Sequence, residues 1–338
     1  MSIQTLIGVV LGVSIFLAVL AEGMVITRAD IRYFFDRPAR LVRTILAMSI
    51  LGPIVTIIVC QQFSLHPAVI VALVTLSIAP VGALFPQGML ALVRPGRGTY
   101  AHGVFFATTL LSIVLTPLAV EVINLLFGSD VHVSPLTVAQ VAVGSLLLPF
   151  VIGLAVGRWR PDARRWIPGI QKLSSLLLLA CFVVFAFLAW SRFGEVVREG
   201  TVTAIVIITL VGLAVGHFLG GPDEDDRTVL AFATVSRHPG VAIAVAGLTD
   251  QPLAPIGVFL AVLVGEVATA PYKVWRKRLL ALERGRQVHP PREPRRCRAP
   301  VRVRPRWLHR RPGARRRGRC TGRPRNSRRS RSACPGPA

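Results

Sequence analysis

Apolar runs of membrane-spanning length follow one another through most of this chain. A hydrocarbon core of about 30 Å requires roughly 20 apolar residues of α-helix. Such runs lie at residues 3–26, 40–61, 67–92, 100–127, 136–157, 171–190, 201–220, 228–248 and 253–272. The connections between them are too short to hold a soluble domain. We therefore expect an all-α membrane protein of about nine transmembrane helices, forming one domain over residues 1–280.

The strongly basic composition belongs to one end of the sequence. The 338 residues carry a formal net charge of +24, but residues 284–338 contain 20 of the 40 basic residues and one of the 16 acidic ones. The rest of the chain has 20 basic and 15 acidic residues, a net of +5, so nucleic acid is not an expected partner. A segment rich in Arg, Pro and Gly cannot bury enough apolar surface to offset its ordering entropy. We expect residues 281–338 to form a disordered tail, either held against anionic lipids or without a specific role.

Lys and Arg are distributed unequally among the expected loops. The loops after the first, third and fifth spans and the flank after the last span contain several each, whereas the loops after the second, fourth and eighth spans contain none. Positively charged flanks are retained on the cytoplasmic side of a membrane. This pattern predicts a multi-pass protein of the cytoplasmic membrane with its N-terminus outside and its C-terminus in the cytoplasm.

Two of the expected spans are interrupted by helix-breaking residues near their middles. The third reads IAPVGALFPQGML, with Pro80, Gly82, Pro86 and Gly88, and the eighth reads AFATVSRHPGVAI, with Pro239 and Gly240. The position that corresponds to Pro239 and Gly240 is assigned to Pro86 and Gly88. Unwound backbone at membrane depth is tolerated only where it is buried in protein or lines a cavity. Interruptions at corresponding places five spans apart are typical of inverted-repeat transporters. Simple kinks in two packing helices are the alternative.

Polar side chains at these breaks are candidate substrate contacts. Arg237 and His238 lie in the second break, and Gln87 lies in the first. A deeply placed arginine is costly unless it is paired or hydrated, and it is a functional candidate for that reason. Its expected partner is Glu266 in the last span, Glu22 in the first span, or an anionic substrate. A purely structural ion pair is the alternative.

The fourth span carries a stripe of hydroxyl groups. Thr108, Thr109, Ser112 and Thr116 recur at a spacing of three or four residues, which places them on one face of a helix. Such a stripe can face a substrate cavity. Hydroxyls in membrane helices more often bond to their own backbone or to a neighbouring helix, and both interpretations stay open.

Acidic residues cluster at one place, Asp223 to Asp226. They suggest a metal site in a membrane-integral enzyme, but no second acidic motif accompanies them. They also precede an expected helix start, where negative charge stabilises the helix dipole. The sequence has no metalloprotease, nucleophile-elbow, P-loop or Rossmann motif and no Cys/His ligand spacing. We therefore expect a protein that is not an enzyme and has no bound metal or cofactor, with a metal-dependent enzyme as the alternative.

Several short motifs resemble those of the bile acid:sodium symporter family. They are Glu22-Gly-Met, Arg28-Ala-Asp-Ile, Arg37-Pro-Ala-Arg, the Ala-Pro-Val-Gly of the third span, Leu115-Thr-Pro, Arg227-Thr-Val and Gly240-Val-Ala-Ile-Ala. The resemblance extends over about residues 1–280. It implies an inverted-repeat fold with a panel and a core domain, nine spans with the N-terminus outside, and two broken helices that cross in the core.

The resemblance also implies positions for sodium ligands, and this chain departs from them. Counting along the second break places Ala233 at the family's glutamate, Arg237 at its glutamine and His238 at its asparagine. In the earlier crossing helix, a Ser-Asn pair of the family falls on Pro86 and Gln87, so only the amide of Gln87 keeps an oxygen. A guanidinium near a sodium site repels the ion, whose electrostatic place it can take. We expect sodium coupling to be weak or absent.

These observations favour a secondary transporter that moves a small organic anion by alternating access. Arg237 and His238 would supply positive charge, Gln87 a polar contact, and Glu266 a counter-charge or proton carrier. A titrating His238 would make transport proton-linked. A non-transporting paralogue is a further alternative. The lipid bilayer is the other expected partner, and the sequence specifies no oligomeric state.

Overall fold

Helices form all the regular structure of the part of the chain that the computed structural model describes, residues 3–127, 134–198, 200–249 and 251–288. The α-helices in these ranges are α1 Ile3–Val25, α2 Arg28–Phe35, α3 Pro38–Ile45, α4 Gly52–Gln62, α5 Pro67–Ile78, α6 Phe85–Leu90, α7 Thr99–Phe127, α8 Pro135–Ala142, α9 Leu148–Trp159, α10 Ile167–Ala189, α11 Phe193–Val196, α12 Thr201–Leu219, α13 Glu224–Val235, α14 Pro239–Ala246 and α15 Ala254–Val288. Short π-helical turns, Leu46–Leu51 and Val143–Leu147, join α3 to α4 and α8 to α9. The expectation of an all-α protein is confirmed for these residues.

Seven segments of the described chain are long and apolar enough to cross a membrane. They are Leu6–Val25, Pro38–Gln62, Thr99–Glu121, Leu136–Trp159, Pro161–Val196, Thr201–Leu219 and Ala254–Arg284. Large apolar side chains cover their outer surfaces, as on α10, where Leu176, Val183 and Phe187 are 61%, 61% and 82% exposed. An apolar exterior of this extent suits lipid and not water. The chain is a multi-pass membrane protein.

The two other expected spans are each divided into half-helices, so neither is a continuous membrane helix. One consists of α5 and α6 and the other of α13 and α14. The first break occupies residues 79–84, so it contains Pro80 and Gly82 and ends before the position assigned to Pro86 and Gly88. Pro86 lies in the first turn of α6, where a missing backbone N–H leaves no helical bond unmade, and Gly88 lies inside the same helix.

The two breaks meet and satisfy each other's backbone. They pair through a short antiparallel bridge. The N–H of His238 donates to the carbonyl of Pro80 (2.8 Å), and the N–H of Gly82 donates to the carbonyl of Ser236 (3.0 Å). The unwound backbone of each break therefore finds hydrogen-bond partners in the other break.

Helix α1 packs closely on α9 and on α10, and these three helices are here named the α1 trio. Glycines bring α1 and α9 into backbone contact. A Cβ added at Gly153 would lie 2.1 Å from the carbonyl oxygen of Leu20, and one added at Gly23 would lie 2.4 Å from that of Phe150. Close approach through small residues is a common way to join membrane helices, because lipid removes the hydrophobic drive for association.

The remaining helices surround the breaks. Helix α5 packs on α4, α14 and α15, and α12 packs on α13 and α15. The last helix ends at Val288, beyond the domain boundary expected near residue 280. The arginine-rich segment that follows lies outside the described residues, and its disorder stays a prediction.

Candidate functional site

A cavity of about 540 Å³ lies between helices α1 and α10 and the breaks. Its walls come from α1, α4, α5, α6, α10, α12, α13, α15 and both breaks, and they are mostly apolar with scattered hydroxyl groups. The ionisable residues on its lining are Arg237, His238, Glu266, Lys273 and Lys277. A volume of this size is typical of sites for small organic molecules.

Arg237 is buried at the break, with 8% of its surface exposed, and its guanidinium is surrounded by backbone carbonyls. Nε donates to the carbonyl of Thr234 (2.9 Å), Nη1 to that of Ala79 (3.1 Å) and Nη2 to that of Met48 (2.7 Å). These oxygens belong to the last turn of α13, the end of α5 and the π-helical turn between α3 and α4. The side chain therefore joins three separate segments.

The local sequence explains why the Met48 carbonyl is available. The N–H of Gly52, which would serve it in an α-helix, bonds to Ala47 in the π-helical turn. The next residue, Pro53, has no N–H to offer. Gly52 also leaves room for the guanidinium, because an added Cβ would lie 2.9 Å from Nη2 of Arg237. The carbonyls of Thr234 and Ala79 lie at helix ends, where intrahelical donors run out.

Neither glutamate that the sequence offered as a partner of Arg237 pairs with it. Glu266 has 60% of its side chain exposed and pairs with Lys273, two turns further along α15. Glu22 lies in another cluster, and no ion pair of the described chain includes Arg237. A carboxylate partner for Arg237 was considered because the sequence does not show which backbone carbonyls a π-helical turn leaves without a donor.

His238 caps the second half of the broken helix. It is 3% exposed, and its Nδ1 accepts from the N–H of Val241 (3.4 Å) at the start of α14. Pro239 occupies the first helical position. Gly240 lets α1 approach, since an added Cβ would lie 2.1 Å from Cδ1 of Ile15. His238 and Pro239 therefore form a rigid wall at the end of the cavity.

Gln87 lies on the face of α6 opposite the cavity. Its Nε2 donates to Oε1 of Glu22 (3.0 Å), whereas its neighbours Gly88 and Met89 line the cavity. The structure thus separates Gln87 from Arg237 and His238, with which it was grouped from the sequence. One face of this short half-helix therefore lines the cavity, and the opposite face contacts α1.

The hydroxyl stripe of α7 does not line the large cavity. Thr108 donates to the carbonyl of Val104 (2.8 Å) and Ser112 to that of Thr109 (2.8 Å), so these two bond to their own helix. Thr108 and Ser112 border a second void of about 20 Å³ beside Arg237, which is about the size needed for one water molecule. The hydroxyl of Thr109 is buried and has no partner in the structure.

The acidic cluster fastens the start of α13. Asp223 caps the helix by accepting from the N–H of Asp225 (2.9 Å). The Asp225 carboxylate accepts from Nε of Arg94 (2.6 Å) and Nη2 of Arg276 (2.5 Å), and Asp226 pairs with Arg40. These carboxylates are engaged by guanidinium groups, which supports the helix-dipole interpretation over a metal-dependent enzyme.

Asp223 lies outside the spanning segments, and its surroundings lower the pKa of its carboxyl group. Burial alone would raise that pKa. The N–H of Asp225 and the charges of Arg94 and Arg97 outweigh it. The ionised form is therefore favoured by the folded state.

The sequence interpretation missed the two lysines of the cavity. Lys273 and Lys277 were counted only as positive flanks of the last span. The structure places both on the cavity lining, with Lys273 also 5.7 Å from the ring centroid of Phe232. Their spacing of four residues puts them on one face of α15, but only the packing of α15 shows that this face lines the cavity.

Comparison with protein-family models finds one that matches residues 12–196, a little over half of the chain, and its description is "Sodium Bile acid symporter family". The match includes the first broken segment and ends before the second. No curated protein matches the chain.

Proposed function

Because this chain belongs to the sodium bile acid symporter family, we propose that it is a secondary transporter that carries a small organic anion across the cytoplasmic membrane by alternating access. The observation that carries the proposal is the 540 Å³ cavity that ends at two paired helix breaks. Binding at discontinuous helices is the arrangement that alternating-access transporters use.

The lining of the cavity favours an amphipathic anion. Most of the walls are apolar, so a hydrocarbon skeleton is accommodated without unpaired polar groups. Lys273 and Lys277 supply positive charge at one end, and Glu266 offsets part of it by pairing with Lys273. From Glu266 to Lys277, α15 extends roughly 16 Å. This length accommodates a ligand that has both an apolar body and a charged group. Arg237 and His238 form the inner wall, and their polar groups serve the backbone.

Seven continuous spans and two broken ones make a nine-span transporter with an inverted repeat. With the N-terminus outside, as the loop charges predict, the lysine end of the cavity faces the cytoplasm. The structure then corresponds to a cytoplasm-facing state. Movement of the α1 trio against the broken segments would open the opposite side.

Transport by this chain does not require sodium, since the implied ligand positions do not suit the ion. Ala233 presents a methyl group to an apolar cluster and is fully buried. At the second implied ligand position, the guanidinium of Arg237 donates hydrogen bonds to three carbonyl oxygens that a cation would otherwise use. A fixed charge of this kind fills the electrostatic role of a bound cation and excludes a second one.

The proposal is tested by uptake of labelled organic carboxylates and sulfonates into liposomes containing the full-length protein. We expect saturable uptake, and we expect the double substitution Lys273→Gln, Lys277→Gln to raise KM about tenfold or more, because two charge contacts with the anion are lost. Lys172→Gln, on an exposed face of α10, is the matched control and should leave KM unchanged. Equal KM values for the double variant and the control would remove the anion site from this cavity.

A further inference from the structure

A second polar site lies on the far side of α6 from the cavity. Glu22, near the end of α1, is fully buried. Its Oε1 accepts from Nε2 of Gln87 (3.0 Å) and from Nε2 of Gln171 (3.4 Å). Its Oε2 lies 3.4 Å from Nδ1 of His102 without hydrogen-bond geometry, and both atoms are buried with no other partner.

This arrangement leaves two complementary buried atoms unsatisfied. A buried carboxylate oxygen without a hydrogen bond is costly, and so is a buried imidazole nitrogen. Carboxylate and imidazole can share one proton, which satisfies both atoms after a small movement. Uptake of one proton takes the pair from a net charge of −1, carboxylate and neutral imidazole, to zero, with no other bond made or broken.

Few charged groups surround the pair. Helix α2 contributes Asp30, whose charge acts on His102 but whose carboxylate is held by the N–H (2.8 Å) and hydroxyl (2.6 Å) of Thr27. Helices α6 and α10 contribute the neutral amides of Gln87 and Gln171. Helix α9 meets α1 here through glycines. Glu22 and His102 are therefore the one acid and base in direct contact within the described residues of this cluster.

The site joins the two parts of the molecule that must move in transport. Glu22 and Gln171 belong to the α1 trio, whereas Gln87 and His102 belong to α6 and α7. Helix α6 separates the site from the cavity, and Ser14 of α1, on the cavity lining, lies about 12 Å along the helix from Glu22. A change of charge on the pair therefore alters contacts across the moving interface.

We propose that Glu22 and His102 form a proton-binding site that couples proton movement to the transport cycle. The coupling rests on the proposed transport function, while the proton site itself does not. His238 is less suited to the task because its Nδ1 caps α14. The protonated pair holds α7 to the α1 trio without a buried net charge, and release of the proton restores that charge and weakens the contact.

Proton binding is tested directly by infrared difference spectroscopy of the full-length protein through a pH titration, following the C=O stretch of a protonated carboxyl group or its carboxylate counterpart. We expect a titrating glutamate signal that disappears in Glu22→Gln and persists in Glu121→Gln, an exposed carboxyl of α7. His102→Gln should shift the titration midpoint while the carboxyl remains. The same signal in the wild type and in Glu22→Gln, or an unmoved midpoint in His102→Gln, would overturn the proton site.

Coupling is tested on the same preparations by uptake of a labelled organic anion with an imposed proton gradient. The gradient should stimulate wild-type uptake several-fold and leave Glu22→Gln unstimulated, while exchange of internal for external anion continues in that variant. Stimulation that persists in Glu22→Gln and His102→Gln would overturn the coupling and leave transport standing. Absence of both uptake and exchange in the wild type would overturn transport and coupling, whereas the infrared titration would still decide the proton site.

Discussion

Arg237 shows how one side chain can take the place of several missing backbone donors. Its guanidinium serves three carbonyls that a π-helical turn, a proline and two helix ends leave without partners. The planar group with its fixed fork of donors suits this task, and a lysine ammonium cannot reach all three oxygens in the same directions. The charge is thereby solvated by protein, which makes a buried cation tolerable.

We predict that Arg237→Lys destabilises the protein by at least about 2 kcal/mol, because at least one buried carbonyl loses its donor. Thermal unfolding in detergent, followed by intrinsic fluorescence, measures the change. Arg158→Lys, at an exposed position of α9, should leave the unfolding temperature nearly unchanged. Equal unfolding temperatures for the two variants would contradict the carbonyl assignment.

Among the helices, α13 is held in place by its acidic cluster, which pairs with arginines from three separate segments. Arg94 follows α6, Arg276 belongs to α15, and Arg40 belongs to α3; all three pair with carboxylates at the start of α13. Arg276 is 1% exposed, so its charge depends on these partners. The half-helix is thus held at its outer end by ion pairs and at its inner end by the break.

Asp223 gives this attachment a predictable dependence on pH. Its folded-state pKa is lowered, so its contribution to stability is fully present above its ordinary pKa of about 4 and is lost as the pH falls through the lower, folded value. Asp223→Asn keeps the helix cap but removes the charge. We predict that this variant is less stable than the wild type by up to about 1 kcal/mol near pH 7, and that the difference fades in acid below about pH 4.

Unfolding in denaturant at several pH values measures this difference, with Asp162→Asn, an exposed carboxyl, as the control. A difference between Asp223→Asn and the wild type that does not depend on pH would contradict the charge assignment. A loss of stability in Asp162→Asn as large as in Asp223→Asn would do the same.

For the molecule as a whole, the sequence predicted the features that follow from local composition, which are the long helices and the two divided spans. Continuous apolar runs identified the long helices, and Pro with Gly identified the two divided spans. The limits of the first break were not predictable, because Pro86 suits the start of a helix as well as its end. The partners of Arg237 and the cavity role of Lys273 depend on which helices meet, and that information is not local.

The difference between local composition and contacts of distant segments also explains which site residues the sequence identified and which partners it missed. Arg237 and His238 were found because charge inside an apolar run is conspicuous, but their partners proved to be backbone atoms. Gln87 was found for its position near the break, yet it faces Glu22. His102 begins a long apolar helix and looks like a residue at a membrane surface. Only the packing of α1 against α6 and α7 reveals that it is buried beside a carboxylate.

The proposed function requires that this chain carry an organic anion in the absence of sodium. Uptake of labelled organic carboxylates and sulfonates into liposomes containing the full-length protein, with sodium fully replaced by choline, measures this. We expect saturable uptake of at least one of these anions above that of protein-free liposomes, faster when the same unlabelled anion is present inside, and equal in sodium and choline. Uptake that occurs only in sodium, or no protein-dependent uptake or exchange of any of them in either medium, would rule the proposal out.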